Sequence, residues 1–319
     1  MPTVLLTGAS GFVGSRLHPL LVQSGVPVRC LTRDAGKARS AFPDRDWVEG
    51  DINDAGALGR ALDGCEAAYY LVHEMGAAHD FAEREAEAAA TFARSARDAG
   101  IGRIIYLGGV LPATGSTASE HLRSRARVGE ILRSGPVPVL ELRASMIVGP
   151  GSLSYVIVRD LAARLPFMIL PRWLDSRTEP VAIEDVLVAL VRALAIPLPA
   201  PAAFDLPGPE ILAGREILLR TAAALGLRRP WFVRAPVLTP RLSSLWVRFV
   251  TRAEWRVARQ IVVGLTDDLL ARDRTYWDLI GHQNLVPFDD SVRAAESDQE
   301  PAEGLWSGVE RTMKRYRCR

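Results

Sequence analysis

This chain of 319 residues contains few cysteines and few histidines, and its net charge is small. The three cysteines, Cys30, Cys65 and Cys318, are scattered and odd in number, so they predict neither a disulfide framework nor a metal site. The five histidines are equally dispersed, which predicts no metal centre. The net charge of +2 is too small to indicate a nucleic-acid partner.

Long apolar runs are missing as well. No uncharged segment reaches membrane-spanning length, and the chain opens on a strand pattern instead of a signal peptide. With 48% hydrophobic and 24% charged residues, the composition is that of an ordinary soluble protein. We therefore expect a cytoplasmic protein without a transmembrane segment, with one large or two smaller domains.

Glycine, in contrast, is concentrated near the start. The strand pattern of residues 3–7 runs into Gly8, Gly11 and Gly14 and then into a helical pattern. Such glycines permit a sharp turn, a close approach of phosphate to the backbone and tight helix–strand packing, while the helix amino terminus attracts the anion. The alternative is a tight turn without a ligand. The context favours a dinucleotide pocket, which we assign to Gly8, Ser10, Gly11, Phe12, Val13 and Gly14.

Strands and helices then alternate as far as residue 150. Strand patterns cover residues 26–32, 47–49, 67–72, 103–107 and 137–148, with helices at 80–99 and 119–134. This order predicts an α/β fold with a Rossmann-type doubly wound parallel sheet over residues 1–150.

Prolines divide the chain after residue 150, which indicates a smaller substrate-facing lobe with interleaved elements over residues 151–300, followed by a basic tail at 301–319. Residues 242–265 predict a packed helix with solvated arginines, a membrane-surface helix being the alternative.

The end of the second strand favours NADP(H) over NAD(H). Arg33 is placed to pair with a ribose 2′-phosphate, Thr32 can add a hydroxyl, and Lys37 or Arg39 can add a second cation. Asp34 comes one residue late and suits a helix cap. The alternative is that Arg33 is an exposed loop arginine.

Asp51 and Ile52 follow the third strand. The carboxylate can accept a hydrogen bond from the adenine amino group, and the isoleucine can cover the ring. A helix cap is the alternative role for Asp51.

Several motifs together resemble the short-chain dehydrogenase/reductase superfamily, most of all its extended and atypical branch of NmrA-like NAD(P)H-binding proteins. They lie at residues 7–14, 50–52, 106–109 and 142–150, with looser matches at 180–186 and 204–208. The resemblance implies further cofactor contacts along the later strands. These are Leu71, Val72, His73, Leu107, Gly108, Val148 and Pro150.

The family's catalytic tyrosine, and the lysine four residues after it, are replaced in this chain. His121 and Arg125 stand at those positions, and Gly108 and Gly109 take the place of the usual serine. Arg125 can still hold the nicotinamide ribose. His121 can donate a proton near neutral pH, although the adjacent arginine lowers its pKa and favours the neutral ring. In the alternatives, His121 only packs near the cofactor, or Tyr155 supplies the missing phenol.

Three functions remain open at this point. The first is NADPH-dependent reduction of a small apolar carbonyl or enone without the Tyr/Lys pair, and a C=C bond tolerates that loss better because it needs less proton assistance at oxygen. The second is a non-catalytic NADP(H)-sensing binding protein, which the missing pair favours. An epimerase or lyase is a third option. The oligomeric state stays open between monomer and homodimer.

Overall fold

The computed structural model describes residues 3–73, 81–112, 119–164, 167–170, 172–227, 229–234 and 267–297. The strands are β1 (Thr3–Leu6), β2 (Val28–Thr32), β3 (Asp46–Glu49), β4 (Cys65–Tyr70), β5 (Arg103–Gly109), β6 (Val139–Ala144), β7 (Met146–Val148), β8 (Phe167–Leu170), β9 (Arg177–Thr178), β10 (Pro180–Ala182), β11 (Ala202–Asp205), β12 (Leu212–Ala213) and β13 (Trp231–Arg234). The helices are α1 (Gly14–Gln23), α2 (Ala35–Ala41), α3 (Ala55–Leu62), α4 (Phe81–Asp98), α5 (Glu120–Arg133), α6 (Leu153–Arg164), α7 (Ile183–Arg192), α8 (Gly214–Ala224), α9 (Thr275–Leu279) and α10 (Phe288–Ser297). The expected helix at 242–265 and the expected tail at 301–319 lie outside the described residues.

Seven strands form the main sheet in the order β11-β6-β5-β4-β1-β2-β3. Every neighbouring pair is parallel. Six of the strands follow the doubly wound order 3-2-1-4-5-6, and β11 adds a seventh beside β6. The predicted Rossmann-type sheet is therefore confirmed.

Helices cover both faces of the sheet, because successive side chains of a strand point to opposite sides. On one face Leu6 of β1 packs with Leu17 of α1 in a fully buried cluster. On the other face Leu5 packs with Leu58 of α3 and Phe92 of α4. The central strands are thus apolar on both sides, as buried parallel strands are.

The strand predicted over residues 137–148 is two strands, which corrects that expectation. β6 stays in the main sheet, whereas β7 pairs in parallel with β10 in a separate two-stranded sheet. The chain turns between them at Ser145, whose hydroxyl donates to the carbonyl of Glu179 at 3.0 Å.

The smaller lobe is built mainly from α6, α8, α10 and β7. Met146, Tyr155, Ile217, Phe288 and Val292 form its buried apolar cluster. Parts of the chain after residue 150 nevertheless belong to the Rossmann layer, since β11 extends the main sheet and α7 packs on α1. Residues after 150 therefore contribute to the Rossmann layer as well as to the smaller lobe. In the described part of the chain, no helix is both long and apolar enough to cross a membrane.

A buried ion pair anchors α5 to the sheet. Glu141 of β6 is 1% exposed. It pairs with Arg133 of α5 and accepts a 3.0 Å bond from Nε of Arg143. Gly129 of α5 gives it room, since a Cβ there would lie 2.7 Å from Oε1 of Glu141. The buried carboxylate of Glu141 therefore holds α5 against β6 through its ion pair with Arg133 and its close contact with Gly129.

Adding one methyl group at either of two helical glycines tests this anchor. Gly129→Ala should destabilise the fold by about 1–3 kcal/mol, because the carboxylate held by two arginines is overpacked. Gly59→Ala is the matched control: a Cβ there meets nothing within 4 Å, so removing the glycine should stabilise the fold by about 0.5–1 kcal/mol. Urea unfolding of both variants measures the difference. Equal effects of the same sign would contradict the anchor.

Candidate functional site

The turn after β1 is built on a close backbone approach. Gly8 has φ of +66°, and a Cβ at this position would lie 2.6 Å from the carbonyl oxygen of Leu71. The N–H of Gly11 donates to the carbonyl of Gly8 at 2.9 Å and closes the turn. A side chain at Gly8 is therefore excluded both by conformation and by space.

Free backbone donors lie at the start of α1. Val13 is its N-cap residue and makes no side-chain cap bond. Among the described residues, the N–H groups of Phe12 and Val13 have no hydrogen-bond acceptor, as is usual in the first turn of a helix. These donors and the helix dipole fit a pyrophosphate at this point.

Two arginines hold the same turn through its carbonyl groups. Arg45 donates to the carbonyls of Ala9 at 2.8 Å and Ser15 at 3.0 Å. Arg16 donates to the carbonyl of Phe12 at 2.8 Å and to that of Pro150 at 2.7 Å. The predicted site residues Phe12 and Pro150 are thereby brought together, although they are far apart in sequence. Neither arginine was expected from the sequence.

A cleft of about 890 Å³ opens along the carboxyl edge of β3, β2, β1 and β4. This volume lies within the range of small-molecule and cofactor sites. Eight residues predicted to bind the cofactor line it. They are Gly8, Ser10, Thr32, Arg33, Asp51, Ile52, Val72 and His73.

At the β2 end of the cleft, Arg33 and Lys37 provide positive charge. Asp34 caps α2 by accepting from the N–H of Lys37 at 2.9 Å, so it takes the cap role expected of it. Thr32 Oγ1 lies 3.3 Å from the N–H of Asp34. Arg39 differs from expectation: its guanidinium donates to a carbonyl of β3 at 3.1 Å and does not line the cleft.

At the β3 end, Asp51 and Ile52 line the cleft side by side. Oδ1 of Asp51 accepts from the N–H of Asn53 at 2.8 Å. The cap of α3 is Asp54, which accepts from the N–H of Gly56 at 2.8 Å. The cap alternative considered for Asp51 therefore belongs to Asp54.

The other end of the cleft holds a cluster of polar side chains from three elements. His73 follows β4, Glu85 lies on α4, and His121 and Arg125 lie on α5. His73 Nδ1 is 2.7 Å from Oε1 of Glu85, and Ser124 Oγ donates to Oε2. His73 Nε2 lies 3.2 Å from His121 Nε2 and 3.2 Å from Nε of Arg125. His73 and Glu85 line the cleft, so the cluster borders it directly.

The hydrogen bonds assign the protons of this cluster. Burial alone would raise the pKa of Glu85, but bonds from His73 and Ser124 and the charge of Arg125 lower it, so the carboxylate is ionised. His73 must then carry its proton on Nδ1 and accept on Nε2. His121 donates through Nε2, because two lone pairs 3.2 Å apart would repel each other.

Both imidazoles are neutral at neutral pH. Burial and the charge of Arg125 lower the pKa of His73 to about 4. Burial, Arg125 and His73 lower the pKa of His121 to about 2. The Nδ1 of His121 is buried and, among the described residues, has no hydrogen-bond partner. This geometry argues against the expected acid role of His121, because its Nε2–H donates to His73 and its Nδ1 is an acceptor without a proton.

Arg125 brings a permanent positive charge to the same place. The hydroxyl of Tyr106 donates to its backbone carbonyl at 2.9 Å, which ties this turn of α5 to β5. Within the described ranges, its two Nη groups have no hydrogen-bond partner. No group of three or more metal-binding side chains occurs among the described residues.

Tyr155 is a correction. Its side chain is 0% exposed in the core of the smaller lobe, and its hydroxyl donates to the carbonyl of Val292 at 3.3 Å. The phenol therefore does not reach the cleft, contrary to the role considered for it from the sequence. Val148 is buried in the same cluster, so its side chain cannot contact a cofactor.

Two further predicted residues lie on β5. Leu107 packs partly buried against the apolar cluster below α1. Gly108 is buried beside Glu141, where a Cβ would lie 3.0 Å from Oε1. The buried carboxylate of Glu141 therefore leaves little room for a larger residue at this position.

Comparison with known proteins agrees with this geometry. Residues 8–161 match a family described as NAD(P)H-binding. The chain is 28% identical over 230 residues to the (4-alkanoyl-5-oxo-2,5-dihydrofuran-3-yl)methyl phosphate reductase of Streptomyces griseus, covering 70% of this chain and 74% of that protein. It is 29% identical over 192 residues to the ceramide reductase of Caulobacter vibrioides, covering 59% of each.

Solved structures share the whole fold. The triphenylmethane reductase of Citrobacter sp. aligns with a TM-score of 0.73 at 17% identity, covering 92% of this chain and 99% of that one. Its complex with NADP(H) aligns with a TM-score of 0.71 at 18% identity, with coverages of 92% and 99%. Residues 8–161 thus match an NAD(P)H-binding family, and the chain shares the fold of these NADP(H)-binding reductase structures, in agreement with the resemblance of its motifs.

The glycine turn can be tested by calorimetry with NADPH and NADH. Gly8→Ala should weaken the binding of both nucleotides at least about 10-fold, because the new methyl group displaces the turn that holds the pyrophosphate. Gly64→Ala is the matched control: it has the same sign of φ, at +70°, but a Cβ there meets nothing within 4 Å. Its affinity should stay unchanged. Full affinity in Gly8→Ala would contradict the assignment.

Proposed function

We propose that this protein is an NADPH-dependent reductase of a small apolar acceptor whose C=C bond is conjugated with a carbonyl group. One observation carries the proposal: the polar cluster next to the cleft holds a permanent cation, Arg125, but no proton that it can release near neutral pH. Reduction at a carbonyl carbon needs such a proton at oxygen. Reduction of a conjugated C=C bond does not.

The chemistry of the acceptor follows from this charge. When bound, a nicotinamide cofactor supplies a hydride. The β-carbon of the acceptor gains that hydride, the electron pair of the C=C bond moves toward the carbonyl, and the oxygen becomes an enolate. Arg125 stabilises the negative oxygen through its Nη groups. The α-carbon then takes a proton from solvent.

One named relative and one solved structure support this class of reaction. The Streptomyces relative is a reductase named for a 5-oxo-2,5-dihydrofuran with a 4-alkanoyl group, which is a ring double bond conjugated with carbonyl groups. The Citrobacter structure is that of a triphenylmethane reductase, and its name refers to dyes of that class. Both proteins are named as reductases, and the Streptomyces name itself contains the conjugated C=C bond.

The preference for NADP(H) is part of the proposal. Arg33 and Lys37 line the β2 end of the cleft together with Thr32. An arginine fork at this place fits a ribose 2′-phosphate. Asp34 lines the cleft as well, and its Oδ1 is held by the N–H of Lys37 as the cap of α2.

A pair of acceptors that differ by one double bond tests the reaction. Purified protein should consume NADPH with cyclohexenone and not with cyclohexanone, because only the first forms an enolate without a proton donor. Arg125→Ala should lower kcat about 100- to 1,000-fold, the usual loss for one group that stabilises a developing oxyanion. Arg125→Lys should retain more activity, since it keeps the charge.

Arg127→Ala is the matched control for these variants, because Arg127 is an exposed arginine on the same helix. It should leave kcat unchanged. Equal consumption of both ketones would make the protein a carbonyl reductase instead. NADPH binding without consumption of any enone, quinone or aldehyde would support the alternative, a non-catalytic NADP(H)-sensing protein.

Cofactor choice has its own test. Arg33→Ala should weaken NADPH binding about 10- to 100-fold, since one hydrogen bond to a charged group contributes about 1.5–3 kcal/mol. NADH binding should change little. Arg39→Ala is the control, because that guanidinium already bonds to β3, and the NADPH/NADH affinity ratio should stay the same. Equal losses for both nucleotides in Arg33→Ala would refute the phosphate contact.

A further inference from the structure

We propose that Glu85 and His73 are positioning residues. Together they decide which atoms of Arg125 and His121 are used in hydrogen bonds to His73 and which remain for a substrate. The carboxylate fixes the tautomer of His73, and the Nε2 lone pair of His73 then holds both α5 side chains in place. This inference rests on the proposed function for its catalytic meaning. Its structural part concerns protons and hydrogen bonds that exist without any substrate.

The first step is the position of Glu85. It is 6% exposed on the buried side of α4, where a carboxylate is costly unless its oxygens are paired. His73 and Ser124 satisfy one oxygen each. Because an ionised carboxylate only accepts hydrogen bonds, the proton of neutral His73 must lie on Nδ1.

The second step is what this tautomer does at the other nitrogen. His73 Nε2 accepts from Nε of Arg125 and from Nε2 of His121, each at 3.2 Å. In the opposite tautomer Nε2 would carry a hydrogen, which would set donor against donor at Nε of Arg125 and would require His121 to move its own proton to Nδ1. Glu85 thus acts on Arg125 and His121 without touching the reacting atoms.

The third step concerns what remains for a substrate. With Nε of Arg125 bonded to His73, the Nη edge of the guanidinium stays available to a negative oxygen. With the Nε2 proton of His121 bonded to His73, its Nδ1 is an acceptor and gives no proton. The carboxylate of Glu85 therefore leaves the site with a positive charge that can stabilise an oxyanion and without an imidazole proton that can be transferred.

Nitrogen NMR of the histidine and arginine side chains tests the proposal directly. In the wild-type protein His73 should show a protonated Nδ1 and a bare Nε2, and His121 the reverse, with signals assigned through His73→Gln and His121→Gln. The Nε–H signal of Arg125 should be protected from exchange. Glu85→Leu should abolish the tautomer preference of His73 and the protection of Arg125, while Glu85→Gln, which retains an acceptor oxygen, should restore most of both.

Kinetics supply the second readout. Glu85→Leu should lower kcat for cyclohexenone about 10- to 100-fold, as misplacement of a catalytic group does, with NADPH affinity and KM little changed. Glu87→Leu, an exposed glutamate on the same helix, should leave tautomers and kcat unaltered.

The possible failures are distinct. A wild-type His73 with its proton on Nε2 overturns the proposal even if Glu85→Leu does not fold. A folded Glu85→Leu with unchanged tautomers and unchanged kcat overturns it too, and leaves Glu85 a structural residue. Wild-type protein that reduces no enone overturns the proposed function alone, whereas the expected NMR pattern would still support the positioning role.

Discussion

The site depends on one close contact between the ends of β1 and β4. Thr7 Oγ1 donates to the carbonyl of Tyr69 at 2.9 Å and accepts from the N–H of Leu71 at 3.1 Å. Gly8 then passes so close to Leu71 that no side chain fits. The chain runs from β1 outward to β2 and later returns to β4 on the other side, so this contact lies at the topological switch point where ligands of open α/β sheets bind.

Much of the fold could be predicted because its signals are local. The apolar strand and the glycine spacing at Gly8, Gly11 and Gly14 define the first βαβ unit without any tertiary information. The turn at Ser145 could not be predicted, since residues 137–148 read as one strand. What breaks it is a hydrogen bond to Glu179, which is distant in sequence. Strand β11 was missed for a similar reason: it lies in a proline-rich stretch and becomes a strand by pairing with β6.

The site was predictable to a similar extent. The spacing of His121 and Arg125 places them on one helix face, and the structure brings both to His73. Glu85 was missed although its signal was present, since it stands between Phe81 and Ala89 at helical spacing on the apolar side of α4. A carboxylate on such a stripe indicates a paired, buried charge. The arginine contacts that hold the glycine turn had no such signal, because they bind backbone carbonyls.

The side chains of the cluster decide how charge and protons are divided in the site. Each assigned proton of the cluster already has an acceptor inside it: His73 gives one to Glu85, His121 gives one to His73, and Ser124 gives one to Glu85. The remaining donor is the guanidinium of Arg125, which can stabilise negative charge by hydrogen bonds but is not a proton donor in catalysis. In the proposed reaction, hydride transfer and protonation are therefore separate steps. Such a reaction needs an acceptor that can delocalise the incoming charge until solvent delivers a proton.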